Sequence, residues 1–174
     1  AHRQDRLPDG TFWRPDRKQT LWVDDLYMGC SLLTRWYELT KDPRFIDDAA
    51  RQVIGMAALQ QQPDGLFFHA RHVGENRPAP YKWGRANGWV AFATAEVLSV
   101  LPENHKDRAK VLAIFRQQIE GIKKTQAPSG LWRQVMDRED VWEETSCSSM
   151  FVFAMARGVR KGLRPKSDLA VAQK

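Results

Sequence analysis

The side chains best suited to chemistry fall in a few short stretches of the chain. In Trp22-Val23-Asp24-Asp25-Leu26-Tyr27-Met28 a carboxylate is flanked by an indole, a phenol and a thioether. Such a carboxylate is poorly solvated, which favours its protonated form and suits Asp24 to giving up a proton near neutral pH. A structural reading stands equally beside it: aspartate is a common helix N-cap, and one of two adjacent aspartates can do only that. In Tyr81-Lys82-Trp83-Gly84-Arg85-Ala86-Asn87-Gly88-Trp89, Trp83 and Trp89 offer apolar plates for a sugar ring. Arg85 offers a planar fork for a carboxylate, and Gly84 and Gly88 let a backbone come close. Core packing of the tryptophans, with Arg85 in an internal ion pair, is the competing reading. His69, Arg71 and His72 form a polar cluster on the loop leading to Trp83, with His72 the weaker candidate. Glu143, Glu144, Thr145, Ser146 and Ser148 head a further apolar segment and read chiefly as capping groups.

Other chemistries have no support. There is no phosphate-binding glycine loop, metal-ligand spacing or nucleophile elbow, so neither a metal nor a nucleotide cofactor is expected. Cys30 and Cys147 lie far apart in apolar segments and read as buried free thiols. The net charge of +6 comes from Lys and Arg scattered among Asp and Glu. Even the densest basic run, Arg157 to Lys166, is explained by a solvated helix end, so nucleic acid is not an expected partner. No apolar run approaches the roughly eighteen residues of a membrane span. The first ten residues carry charge and no apolar core of a secretory leader, and the expected compartment is the cytoplasm, with the periplasm as the alternative.

The elements that must position these residues follow from an internal repeat. A Pro-Asp/Ser-Gly turn followed by bulky apolar residues occurs at Pro8-Asp9-Gly10, Pro63-Asp64-Gly65 and Pro128-Ser129-Gly130. After each comes a segment that opens with polar groups and is then apolar on nearly all sides, as a helix buried all round would be. These inner helices are expected to begin near Val23, Asn87 and Ser146. After the first two come helices with one wet face, expected over 43–61 and 104–124. Asp42-Pro43 supplies the cap and first-turn proline of the earlier one. Repeated inner–outer hairpins form a toroid that gathers helix N-termini and loops into one bowl, where acidic ligands are favoured. Strand-like alternation is confined to short pieces such as 66–73.

The elements VDDLYM, GLFFHAR, WGRANGW and EETSCSSMF, in this order, resemble the unsaturated rhamnogalacturonyl hydrolases of glycoside hydrolase family 105, with the unsaturated glucuronyl hydrolases of family 88 more distant. The resemblance covers nearly the whole chain. It implies an all-α fold, an (α/α)6 barrel with about three of six hairpins present, so that residues 1–174 form part of a single catalytic domain. It implies that Asp24 is the acid/base and that Met28, His69, Trp83, Arg85 and Trp89 line the substrate pocket. Ala86 departs from the glycine usual in the family, and the family's first hairpins, with a further aspartate, have no counterpart. The implied reaction removes a 4,5-unsaturated galacturonic acid from pectin oligosaccharides left by a lyase. Asp24 protonates C4, water adds at C5, and the hemiketal breaks down to free the next sugar. The expected partner is that oligosaccharide, and open helix flanks are expected to favour self-association. The alternatives are a carbohydrate-binding or inactive fragment of such an enzyme, or another sugar-acid enzyme on the same toroid.

Overall fold

A computed structural model describes residues 5–14 and 19–174; residues 1–4, the start of the stretch read for a leader, lie outside the described residues. The chain folds into two rows of helices. The inner row is α1 (Asp24–Thr40), α3 (Gly84–Val100) and α5 (Thr145–Arg160); the outer is α2 (Pro43–Gln60), α4 (Arg108–Lys124) and the short α6 (Asp168–Ala172). Helix α3 is flanked by α1 and α5 and backed by α4, while α1 packs on α2 and α5 on α6. This is the expected succession of hairpins. The outer helix α2 begins as its sequence dictates, with the Asp42 carboxylate accepting from the Arg44 N–H and Pro43 in the first turn.

The three glycine turns have one geometry. Gly10, Gly65 and Gly130 sit at φ +90°, +90° and +91°, the left-handed region that only glycine enters cheaply. In each, the glycine N–H donates to the carbonyl three residues back, Leu7, Gln62 or Ala127. The aromatic two residues after each glycine is buried, and its N–H is taken by a buried side chain: Gln52 for Phe12, Asn87 for Phe67 and Ser148 for Trp132, at 2.7–2.9 Å. Each loop is thereby pinned to a helix.

Away from the loops the inner row is tied together by charge. Buried Glu96 of α3 meets Arg35 of α1 at 3.0 Å and Arg157 of α5 at 3.9 Å. Rings tie it too: Phe92 of α3 stacks on Phe153 of α5 at 4.0 Å and meets Tyr27 of α1 edge-on at 5.1 Å.

The structure corrects three details. Helix α3 starts at Gly84, earlier than Asn87, because the Gly84 N–H is satisfied by the distant Gln134 carbonyl at 2.7 Å. Helix α4 starts at Arg108, since residues before it form turns held by His105, whose Nδ1 accepts from Asp107 N–H. Of the inner helices only α3 is buried on nearly all sides; α1 leaves Met28, Leu32, Trp36 and Leu39 exposed along one face. The strand-like piece at 66–73 contributes β2 (Ala70–His72), the centre of a three-stranded antiparallel sheet between β1 (Thr20–Trp22) and β3 (Arg77–Pro78). That sheet delivers Trp22 and His69 to the head of α1.

Candidate active site

The end of β1 and the start of α1 are clamped to the loop after the second turn: the Val23 N–H donates to the His69 carbonyl at 3.1 Å, and the His69 N–H to the Tyr81 carbonyl at 3.1 Å. Around this clamp the side chains meet in sequence. His69 Nε2 lies 3.4 Å from Asp24 Oδ2. The His69 ring takes the edge of Trp22 at 4.5 Å and stacks on Trp83 at 5.4 Å and 15°. The Arg85 guanidinium lies 5.3 Å above the other aromatic partner in this row, Trp83. Trp89 joins from one turn further along α3, 4.6 Å from Tyr27 of α1. Met28, one turn along α1 from Asp24, is 55% exposed. Arg71 and His72 go elsewhere: Arg71 is spent on the Leu59 carbonyl and on Asn76, and His72 is a strand residue of β2.

The two adjacent aspartates have different fates. Asp25 is held by Arg14, through Nε at 2.8 Å and Nη2 at 2.5 Å. Asp24 Oδ2 is buried with no hydrogen-bond partner. Neither caps α1 through its side chain, because the N-cap position is Val23. A buried polar atom without a partner costs free energy unless a ligand meets it. Of the pair, Asp24 is the one left available for chemistry.

Arg85 is in an ion pair, as the packing alternative required, but only partly committed to it. Its Nη1 donates to Glu144 Oε1 at 2.5 Å, while Nε and Nη2 donate to nothing among the described residues and the side chain is 40% exposed. The Nε–Nη2 edge is the geometry that takes a carboxylate in two hydrogen bonds.

Sequence reasoning underrated Glu144. Expected as a cap, it occupies the N-cap of α5 but makes no side-chain cap bond. Its carboxylate instead takes Arg85 Nη1 and the Ser146 hydroxyl, with Oε2 buried and unpartnered. A signal existed in the acidic pair heading the third apolar segment, as Asp24-Asp25 heads the first. Cys30 and Cys147 are buried free thiols, as expected. Burial, with the Glu144 charge adding to it, pushes the Cys147 thiol up to about 12, so it is no nucleophile at neutral pH. Ala86 is buried in the first turn of α3. Among the described residues no cluster of three or more His, Cys, Asp or Glu could hold a metal, and no helix is long and apolar enough to cross a membrane.

The N-terminal ends of this row of helical hairpins gather an unpartnered carboxylate, a half-free arginine and several indoles. The chain belongs to Glycosyl Hydrolase Family 88, whose family model matches residues 1–174. It is 34% identical over 147 residues to Protein Atu3128 of Agrobacterium fabrum, covering 78% of this chain and 63% of that protein. It is 29% identical over 136 residues to the unsaturated rhamnogalacturonyl hydrolase YesR of Bacillus subtilis, covering 77% and 40%. In three dimensions it matches a family 105 glycoside hydrolase from C. acetobutylicum with a TM-score of 0.91 at 30% identity, covering 99% of this chain and 52% of that one. The (α/α)6 barrel is thus the fold, present in part, and the chain spans roughly half the length of the relatives it matches.

Proposed function

We propose that this chain carries the acid/base side of an unsaturated uronyl hydrolase pocket, and that the enzyme removes 4,5-unsaturated galacturonic acid from the non-reducing end of rhamnogalacturonan oligosaccharides. The observation that carries the reading is that a buried, unpartnered Asp24 oxygen and the free Arg85 edge stand at the two ends of one row of rings, with His69 beside Asp24 and stacked on Trp83, and Trp83 under Arg85. Membership of Glycosyl Hydrolase Family 88 supports it.

In this reading Arg85 takes the uronate carboxylate through Nε and Nη2, and Trp83 and Trp89 offer the apolar plates for the ring. Met28, exposed one turn from Asp24, completes the wall on the α1 side. Asp24 delivers its proton to C4 of the C4=C5 enol ether. Water adds at C5, and its proton returns to the Asp24 carboxylate, so the residue is restored after each turnover. The C5 hemiketal then opens and the bond to the next sugar is lost. His69 Nε2 stands 3.4 Å from Asp24 Oδ2 without a hydrogen bond between them and flanks the reacting carboxyl. One carboxyl suffices, in contrast with the carboxylate pair of ordinary glycosidases.

The test is turnover of an unsaturated rhamnogalacturonan disaccharide, followed by loss of ultraviolet absorbance from its double bond. Loss of absorbance with release of rhamnose is expected. Binding without loss would mark a carbohydrate-binding role in place of turnover. Faster turnover of a glucuronyl substrate would overturn the galacturonyl assignment.

A further inference from the structure

We propose that Glu144 is a positioning residue: it fixes the Arg85 guanidinium so that its Nε–Nη2 edge faces the carboxylate of the bound sugar. The proposal rests on the uronate reading of the pocket given above. Glu144 is held from several sides. Its N–H donates to the Trp132 carbonyl at 2.8 Å, and its own carbonyl accepts from the Ser148 N–H, the Ser148 hydroxyl and the Cys147 thiol. Its side chain is 13% exposed, and Oε1 carries both Arg85 Nη1 and the Ser146 hydroxyl. Arg85 has no comparable support. Apart from Glu144, its guanidinium has only the face of Trp83 as a polar or ring partner among the described residues, and a guanidinium on a long flexible stem loses much rotamer freedom when a ligand must order it. A rigid carboxylate at one corner of the fork does that ordering before the sugar arrives.

The opposing possibility is plain charge balance. A carboxylate 2.5 Å from the guanidinium subtracts from its attraction for a second carboxylate, so on that account removing Glu144 would strengthen uronate binding. Positioning predicts the opposite sign, which makes the two separable.

The experiment is calorimetric titration of the purified protein with methyl galacturonoside, with neutral methyl galactoside as the control sugar. Glu144→Ala is expected to weaken uronate binding about tenfold. Glu144→Gln keeps an acceptor in the same place and is expected to stay within about threefold. In an Arg85→Ala background Glu144→Ala should cause no further loss, because the effect passes through Arg85. Matched thermal melts by circular dichroism establish that the variants are folded. Unchanged or tighter binding by Glu144→Ala overturns the proposal, as does an equal loss in the Arg85→Ala background. If the unaltered protein does not prefer the uronate over the neutral sugar, the uronate reading itself fails and the positioning role falls with it.

Discussion

Replacing Asp24 by Asn exchanges one oxygen for an amide nitrogen and keeps the volume, so it isolates the carboxyl chemistry from the packing. The structure sets two very different expectations for it. If Asp24 is only a first-turn charge on α1, the change removes a favourable helix-dipole interaction worth about 0.3–1 kcal/mol. In a chain of this size that lowers the melting temperature by roughly 1–4 °C and leaves catalysis alone. The buried Oδ2 accepts no hydrogen bond, so no buried partner is stranded and no larger loss of stability follows. If Asp24 is the acid/base, the same substitution should lower kcat about 10²–10⁴-fold, equivalent to about 2.7–5.4 kcal/mol in the barrier, while the melt hardly moves. The assay measures both on the whole protein: absorbance loss of unsaturated disaccharide for turnover, circular dichroism for the melt. Asp25→Asn serves as the control. Its carboxylate is already bound to Arg14, so it should cost about 1 kcal/mol of stability and change kcat less than about threefold. Retention of more than about a tenth of normal turnover by Asp24→Asn refutes the assignment.

The turn glycines give a graded series. Gly162→Ala at φ +69° meets nothing within 4 Å and should cost only left-handed strain, about 1–2 kcal/mol, whereas Gly65→Ala at φ +90° drives its Cβ to 2.1 Å from the Gln117 carbonyl oxygen and should cost roughly 3–5 kcal/mol. Equal urea midpoints for the two variants would contradict the pinned-loop account. Burial pushes the Asp168 carboxyl upward, yet hydrogen bonds from Arg164 and Lys123 more than offset this and hold it below its ordinary value. Its folded form therefore binds protons less readily than its unfolded form, so its contribution is present above about pH 4 and fades as pH falls below that. Asp168→Asn should cost about 3 kcal/mol at pH 7 and flatten the acid side of the stability curve; an unchanged curve sinks the argument. The exposed row Met28, Leu32, Trp36 and Leu39 should make the 174-residue chain associate with itself, and Leu32→Ser with Trp36→Ser should reduce that association in light scattering. A monomer at all concentrations would show that this face needs no cover.

What could be read in the sequence was whatever a few neighbouring residues decide. Pro-x-Gly before aromatics determines the backbone at Gly10, Gly65 and Gly130, and Asp42-Pro43 determines the start of α2, so both follow from local chemistry. The start of α3 could not be placed locally, because its first N–H is satisfied by the Gln134 carbonyl, fifty residues further on. The fate of the acidic pairs was out of reach for the same reason. Asp25 and Glu144 are each met by an arginine that, among the described residues, Asp24 and Glu143 lack: Arg14 from eleven residues away and Arg85 from fifty-nine. Periodicity sees an apolar inner helix; it does not see that α1 packs chiefly against α2 and α3 and so keeps an exposed side.

The placement of these pairs also explains why the pocket can hold unsatisfied groups at all. Asp24 Oδ2 and Glu144 Oε2 are both buried without partners, and each such atom weakens the folded state. They stand at the heads of α1 and α5, helices that are fastened further along by the Glu96 charges and the Phe92–Phe153 stack. Because that fastening lies about eleven residues, roughly 16 Å, along the helices, it does not compete with the pocket for the same side chains. The pocket end thus keeps two buried carboxylate oxygens, Asp24 Oδ2 and Glu144 Oε2, open while the charge tie holds the helices further along. A ligand bringing hydrogen-bond donors to the open end therefore gains contacts that the empty protein lacks, and binding should raise the melting temperature more than its contact area alone would suggest. Substituting Glu96 by Gln tests the separation: it should lower the melting temperature and leave methyl galacturonoside affinity within about twofold, since no pocket group touches it. A parallel loss of affinity would show that the two ends are coupled and that the pocket geometry depends on the charge tie below it.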